Sequence, residues 1–202
     1  MTKNQYLGIA LILALSTTQM AWPAQYEIDS DHTSVNFTIR HLVISKVKGK
    51  FSKFSGSFEY DPQKQSSWKT IANIQAESID TGVKERDKHL RSADFFDVAK
   101  HPTITFVSTG VKEFDGNSGK LEGNLTIHGV TKPVVLTLEV GGMATDPWGN
   151  KKAAFSASTK INRKDFGLNW NKALEAGGVL VGDDVEIILE VEGQEKSKTA
   201  KK

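Results

Sequence analysis

The densest group of side chains able to do chemistry is Arg86-Asp87-Lys88-His89-Leu90-Arg91. On a helix Asp87 and Arg91 stand four residues apart and would pair. The plain account of such a cluster is a salt-bridged motif that pins a helix to its surroundings. The other histidines are His32, His41, His101 and His128. No pair has the HExxH spacing, so no metal site is expected. His32 falls in an Asp-His-Thr-Ser turn and His128 in a turn between two strands. The chain has no cysteine, which removes thiol catalysis and thiolate metal sites. There is no G-x-S-x-G elbow, no P-loop and no dinucleotide fingerprint. No catalytic residue and no cofactor is expected. Lys46, Lys48, Lys50 and Lys53 form a basic stretch, and on a strand the first three share an outward face that resists edge pairing.

The elements that must position these groups are mostly strands. Period-2 alternation runs through Ser34–Arg40, Leu121–Ile127 and Val134–Val140. Ala153, Phe155, Ala157, Thr159 and Ile161 share one face, as do Val185, Ile187, Leu189 and Val191. Ile71–Ile79 and Ile104–Val107 add two more strands. Between Lys46 and Tyr60 the parity changes: Val47 and Phe51 are on one, Phe54, Phe58 and Tyr60 on the other. A β-bulge between Phe51 and Phe54 would restore a single inward face. Gly49 and Gly56 sit where such a strand would bend. The exception is 82–99, where Lys84–Arg91 favours helix. About eight antiparallel strands and one short helix predict a closed barrel, which leaves no exposed edges.

The N-terminus has the parts of a secretory signal: Lys3, an apolar run from Tyr6 to Leu15, then Ala21-Trp22-Pro23-Ala24. The run is too short to span a bilayer. Cleavage is expected after Ala24, which places the chain in the periplasm or outside the cell. The expected division is a signal over 1–24, one barrel domain over 25–193 and a disordered lysine-rich tail over 194–202. The net charge of +2 is carried by the signal and the tail. The domain between them is slightly acidic, which argues against a nucleic-acid partner.

Several ordered motifs resemble those of the YceI-like family of bacterial periplasmic proteins. They are Tyr26-Glu27-Ile28-Asp29 with His32–Phe37, Ser78–Gly82 leading to Arg86–Asp97, Pro102–Phe106, and Leu125–Val134. Asp146–Gly149 and Asp165–Leu168 support them. The resemblance covers nearly all of the chain after residue 24. It implies an extended lipocalin-like eight-stranded antiparallel barrel with one short helix near it. It also implies a long apolar cavity for a polyisoprenoid or similar long-chain amphiphile, and a homodimer.

An isoprenoid chain offers few hydrogen-bonding groups, so its recognition rests on buried apolar area, about 25 cal/mol per Å². The inward sets supply candidate wall residues: Val35, Phe37, Ile39, Phe51, Phe54, Ile74, Phe106, Leu125, Phe155 and Ile187. Each also suits plain core packing. Arg86, His89 and Arg91 are candidate contacts for a polar head at the cavity mouth. The expected function is a lipid-binding carrier rather than an enzyme, with transient contact to a membrane surface. The alternatives are an enzyme acting on a lipid, centred on His89, and a stress-linked interaction protein whose barrel is filled.

Overall fold

A computed structural model describes residues 23–174 and 178–196. Of the expected signal, residues 1–22 lie outside the described residues, as do residues 197–202 of the expected tail. The elements are β1 (Ala24–Ile28), β2 (Ser34–His41), β3 (Ser45–Phe51), β4 (Phe54–Tyr60), β5 (Lys69–Gln75), β6 (Ile79–Asp80), α1 (Lys84–Arg91), β7 (Thr103–Lys112), β8 (Ser118–Ile127), β9 (Val130–Thr145), β10 (Lys151–Asn162) and β11 (Val181–Glu195). The 11 strands form one antiparallel sheet, and they fill the positions of a closed 8-strand barrel. Three positions are each shared by two segments: β1 with β2, β3 with β4, and β5 with β6. The chain visits the positions in order, as an up-and-down meander. Closure comes from β11, which pairs with β2 over 181–190 and then with β1 over 193–195.

The bulge expected between Phe51 and Phe54 is the break between β3 and β4. Ser52 N–H donates to Ser78 O (3.2 Å), and Gln75 N–H donates to Lys53 O (2.9 Å). With two residues set aside there, Phe51, Phe58 and Tyr60 are all buried. The strand expected over Ile71–Ile79 is likewise interrupted, by a single 3-10 turn at Ala76–Ser78. Pro133 sits inside β9 without breaking it. β10 pairs with β9 only from Thr137 onward, so the flank that would need the missing N–H is free at Pro133. Two residues assigned to the tail belong to the barrel. Gln194 and Glu195 pair with Glu27 and Tyr26, and Lys196 N–H donates to Gln25 O (2.8 Å).

The two ends of the barrel differ. One is packed with aromatic rings: Tyr26 stacks on Phe58 (5.1 Å), and Tyr60 meets Trp68 (4.7 Å) and Phe155 (5.0 Å) edge-on. Trp68 Nε1–H donates to Asp61 O (2.7 Å), which satisfies its one polar atom. The other end carries α1, the β2–β3 and β8–β9 turns, and the segments 163–174 and 178–180.

The glycines do more than bend strands. A Cβ at Gly49 would lie 2.3 Å from Phe37 Cζ, one at Gly123 2.4 Å from Phe106, and one at Gly193 2.4 Å from Phe58. Three phenyl rings thus lie flat against the wall over missing side chains instead of crossing the lumen. Gly56 has a different task, since a Cβ there would meet Ile71 O at 2.3 Å.

Outside the aromatic end, Lys152 Nζ lies 2.7 Å from Asp29 Oδ2 and 3.3 Å from Glu192 Oε1. His32 Nδ1 is 3.0 Å from the same Asp29 oxygen. The Lys152 hydrogen bond, seconded by His32, holds the Asp29 carboxyl well below the usual carboxylate range. The Asp29 hydrogen bond raises the His32 imidazole above its ordinary value.

Two expectations follow. Gly49→Ala would push the Phe37 ring into the lumen and lower stability by about 1–3 kcal/mol, read by urea denaturation. The His32 contribution is fully present below its unfolded-state pKa of about 6.5 and fades as pH rises through the higher folded-state value. Melting temperature should therefore fall over that interval, and His32→Gln should remove this part of the slope.

Candidate functional site

The lumen holds two adjoining cavities. One, of about 180 Å³, lies towards the aromatic end. The other, of about 420 Å³, reaches the helix end. Phe37, Phe51, Ile104, Ile127 and Ile187 line both, so the two adjoin at an apolar waist. A cavity of about 150 Å³ lined by Leu, Ile and Phe already stays dry and accepts small apolar guests. The barrel is therefore not filled by its own side chains.

All ten inward residues named from the sequence face this space. Val35, Phe37, Phe51, Phe54, Ile74, Phe106, Leu125, Phe155 and Ile187 line the smaller cavity, and Ile39 lines the larger one. The alternation that identified them follows from the pleat, which sends every second side chain inward. Phe58, Tyr60, Trp68, Leu136 and Leu138 share the wall but were not singled out. Phe58 and Tyr60 have the same parity as Phe54, which was the available signal.

At the helix end the polar cluster divides by role. The Asp87–Arg91 pair expected on α1 is absent among the described residues, because both side chains have stronger partners outside the helix. Asp87 is buried, and its Oδ1 accepts from Thr81 N–H (2.9 Å) and Thr81 Oγ1–H (2.6 Å). Arg91 donates through Nε to Glu77 O and through an η nitrogen to Ile79 O, both at 2.6 Å. These bonds tie the middle and the C-terminal end of α1 to the chain that precedes it, and Arg91 lines neither cavity. Arg86 and His89 do line the larger cavity. Arg86 donates to Thr81 Oγ1 (2.7 Å) and Thr81 O (3.0 Å). His89 Nε2 is 2.7 Å from Asp94 Oδ2, and its ring meets Trp170 edge-on at 4.8 Å. Glu85, Arg40, His41, Trp170 and Leu180 complete this mouth.

Sequence reasoning missed Arg163, the most buried charge in the wall at 3 % exposure. Its position continues the inward parity of β10 two residues beyond Ile161. It lies in a 3-10 turn, Arg163–Phe166, that begins with the Asn162 side chain accepting from Lys164 N–H (2.9 Å). Gly167 ends the turn in a left-handed conformation (φ 77°). Arg163 donates to Gly182 O (2.8 Å) and Leu168 O, and an η nitrogen lies 3.4 Å from Asp183 Oδ1. Burial pushes the guanidinium's pKa down, and the Asp183 carboxylate opposes that shift. A guanidinium has five N–H donors, so Arg163 retains donors for a polar group at the mouth.

Two histidines come together that sequence spacing kept apart. The rings of His101 and His128 lie 4.5 Å apart beside the Asp97 carboxylate.

Comparison with known proteins follows the same outline. The YceI-like domain family matches residues 26–193. Protein YceI of Salmonella newport is 44% identical over 193 residues, covering 95% of this chain and 97% of that protein. The crystal structure of Burkholderia cenocepacia BcnA superposes with a TM-score of 0.71 at 25% identity, covering 82% of this chain and 98% of BcnA. A domain from Saccharophagus degradans, described as polyisoprenoid-binding and implicated in plant cell wall breakdown, superposes with a TM-score of 0.63. At 14% identity, over 86% of this chain and 99% of that domain, it shares the fold alone.

Proposed function

The chain belongs to the YceI-like family, and from that premise we propose that it binds and carries a polyisoprenoid, quinone-like or other long-chain lipid in its lumen. The observation that carries this reading is the pair of apolar cavities in the lumen, which adjoin at a waist of Phe37, Phe51, Ile104, Ile127 and Ile187. A hydrocarbon tail gains there by leaving water, at about 25 cal/mol per Å² buried. The polyisoprenoid-binding description of the Saccharophagus domain supports the same class of ligand.

Polarity sets the direction of the bound molecule. The tail points to the aromatic end, and the head stays at the helix end near Arg86, His89 and Arg163. This is a binding protein rather than an enzyme. The groups considered for chemistry at the mouth are tied to neighbours, His89 to Asp94 and Arg86 to Thr81.

The mouth also carries the surface that meets a membrane. At the β2–β3 turn Leu42 and Val43 adopt left-handed backbone, with φ of 54° and 66°. That costs about 1–2 kcal/mol per residue. The turn presents Val43 and Ile44 to solvent at 58% and 83% exposure. Leu42 N–H donates to Leu180 O (2.9 Å), and Leu180 lines the larger cavity. An apolar tip beside the opening lets a lipid pass from bilayer to lumen without crossing water.

The chain is exported to the periplasm or beyond, with its signal cut after Ala24, the first residue of β1. N-terminal sequencing of the exported protein should begin at Gln25, and an uncleaved chain in the membrane fraction would overturn this.

Protein purified without delipidation should release a long-chain lipid on solvent extraction, identified by mass spectrometry. Ile187→Trp, which narrows the waist, should lower that occupancy at least about tenfold while the barrel still folds by circular dichroism. Empty wild-type protein that takes up no long-chain lipid offered in vesicles would sink the reading.

A further inference from the structure

We propose that Asp97, His101 and His128 form a binding site for a divalent transition-metal ion of the zinc class. One donor atom from each lies within 4.8 Å of the others, and all three side chains are half-buried. Imidazole and carboxylate are the donors such ions take, at about 2.0–2.2 Å. Tetrahedral coordination needs donors about 3.4 Å apart, which small side-chain rotations reach from this arrangement. Three protein ligands leave the fourth position to water.

The surroundings are built for the two rings. His128 has φ 51° and Asp97 φ 43°, left-handed conformations that His and Asp tolerate better than most residues. The 97–101 loop is closed by Lys100 N–H (2.9 Å) and His101 N–H (2.8 Å), both donating to Asp97 O. Gly129 and Gly167, both with φ near 77°, pack against the rings. A Cβ at Gly129 would come within 2.8 Å of His101 Cε1, and one at Gly167 within 3.4 Å of His128 Nδ1. His32 and His89 each bond a carboxylate. Neither imidazole of the 101–128 pair has a hydrogen-bond partner among the described residues, so their nitrogens are available as ligands.

A second cluster of donor groups, Asp29, His32 and Glu192, shows what an unsuitable site looks like. There the Lys152 ammonium already occupies the centre, bonding two of the three. At Asp97 the only competing cation among the described residues is Lys100, whose Nζ is 3.0 Å from Oδ2. The Lys100 side chain is 74% exposed and can swing back into water, which leaves the Asp97 carboxylate to a divalent ion. The three ligands come from the α1–β7 connection and the β8–β9 turn. The bound ion therefore staples the segment carrying α1 to the barrel rim.

The test uses untagged, chelator-washed protein titrated with zinc chloride by calorimetry and with cobalt chloride by visible absorption. One zinc per chain, a cobalt spectrum of tetrahedral intensity and a rise in melting temperature with zinc are expected. Asp97→Asn, His101→Gln and His128→Asn should each weaken zinc binding at least tenfold, whereas His32→Gln should not. His128→Asn keeps a residue that accepts left-handed backbone, and circular dichroism checks its fold. No zinc uptake, or uptake unchanged in all three variants, would overturn the assignment.

Discussion

An apolar lumen that the barrel's own side chains do not fill is an unfavourable thing to build. Side chains facing a void lose dispersion contacts on one side, and a small barrel would normally collapse onto its own core. Everything else in this fold answers that constraint. Backbone pairing is closed around the whole circumference, with β11 serving β2 and β1 in turn, so the wall is held by its ladder rather than by what fills it. Phe37, Phe58 and Phe106 contribute apolar surface without contributing width, because each lies over a glycine. The aromatic end supplies the dense packing that the middle of the barrel gives up.

The helix end faces the opposite problem, since an opening must be framed by polar groups without burying unpaired charge. Asp87 and Arg91 are spent on Thr81 and on backbone carbonyls, where each hydrogen bond to a charged group contributes about 1.5–3 kcal/mol. Arg163 is buried but anchored on two carbonyls and Asp183. The charged groups of this rim are thus part of the frame first. Of the groups considered for a ligand head, Arg86, His89 and Arg163 keep a face on the larger cavity, beside Arg40, His41 and Glu85.

Much of this was legible in the sequence because a barrel obeys a simple periodicity. Ten inward residues and the position of the bulge followed from parity alone, and Phe51 and Phe54 lie where that parity demands. Arg163 escaped because β10 was read only to Ile161, although the same parity extends two residues further. The Asp87–Arg91 pairing failed for a different reason. Helical spacing weighs partners within the helix, while Thr81 and the Glu77 and Ile79 carbonyls, supplied by tertiary contact, compete better. His101 and His128 were invisible as a pair because the β7–β8 hairpin lies between them in the chain. Gly49 was read as a bend, and its role as a seat for Phe37 depends on a cross-strand neighbour.

The breaks at residues 29–33, 52–53 and 76–78 fall side by side on three neighbouring strand positions. Ser52 and Lys53 bond directly across to Ser78. Mechanically, that flank is two short panels joined in series by a hinge line, while β7 to β11 opposite form one continuous plate. Such a vessel is stiff on one side and compliant on the other. A change of girth would fall on that line first, with the strand ladders on either side left intact.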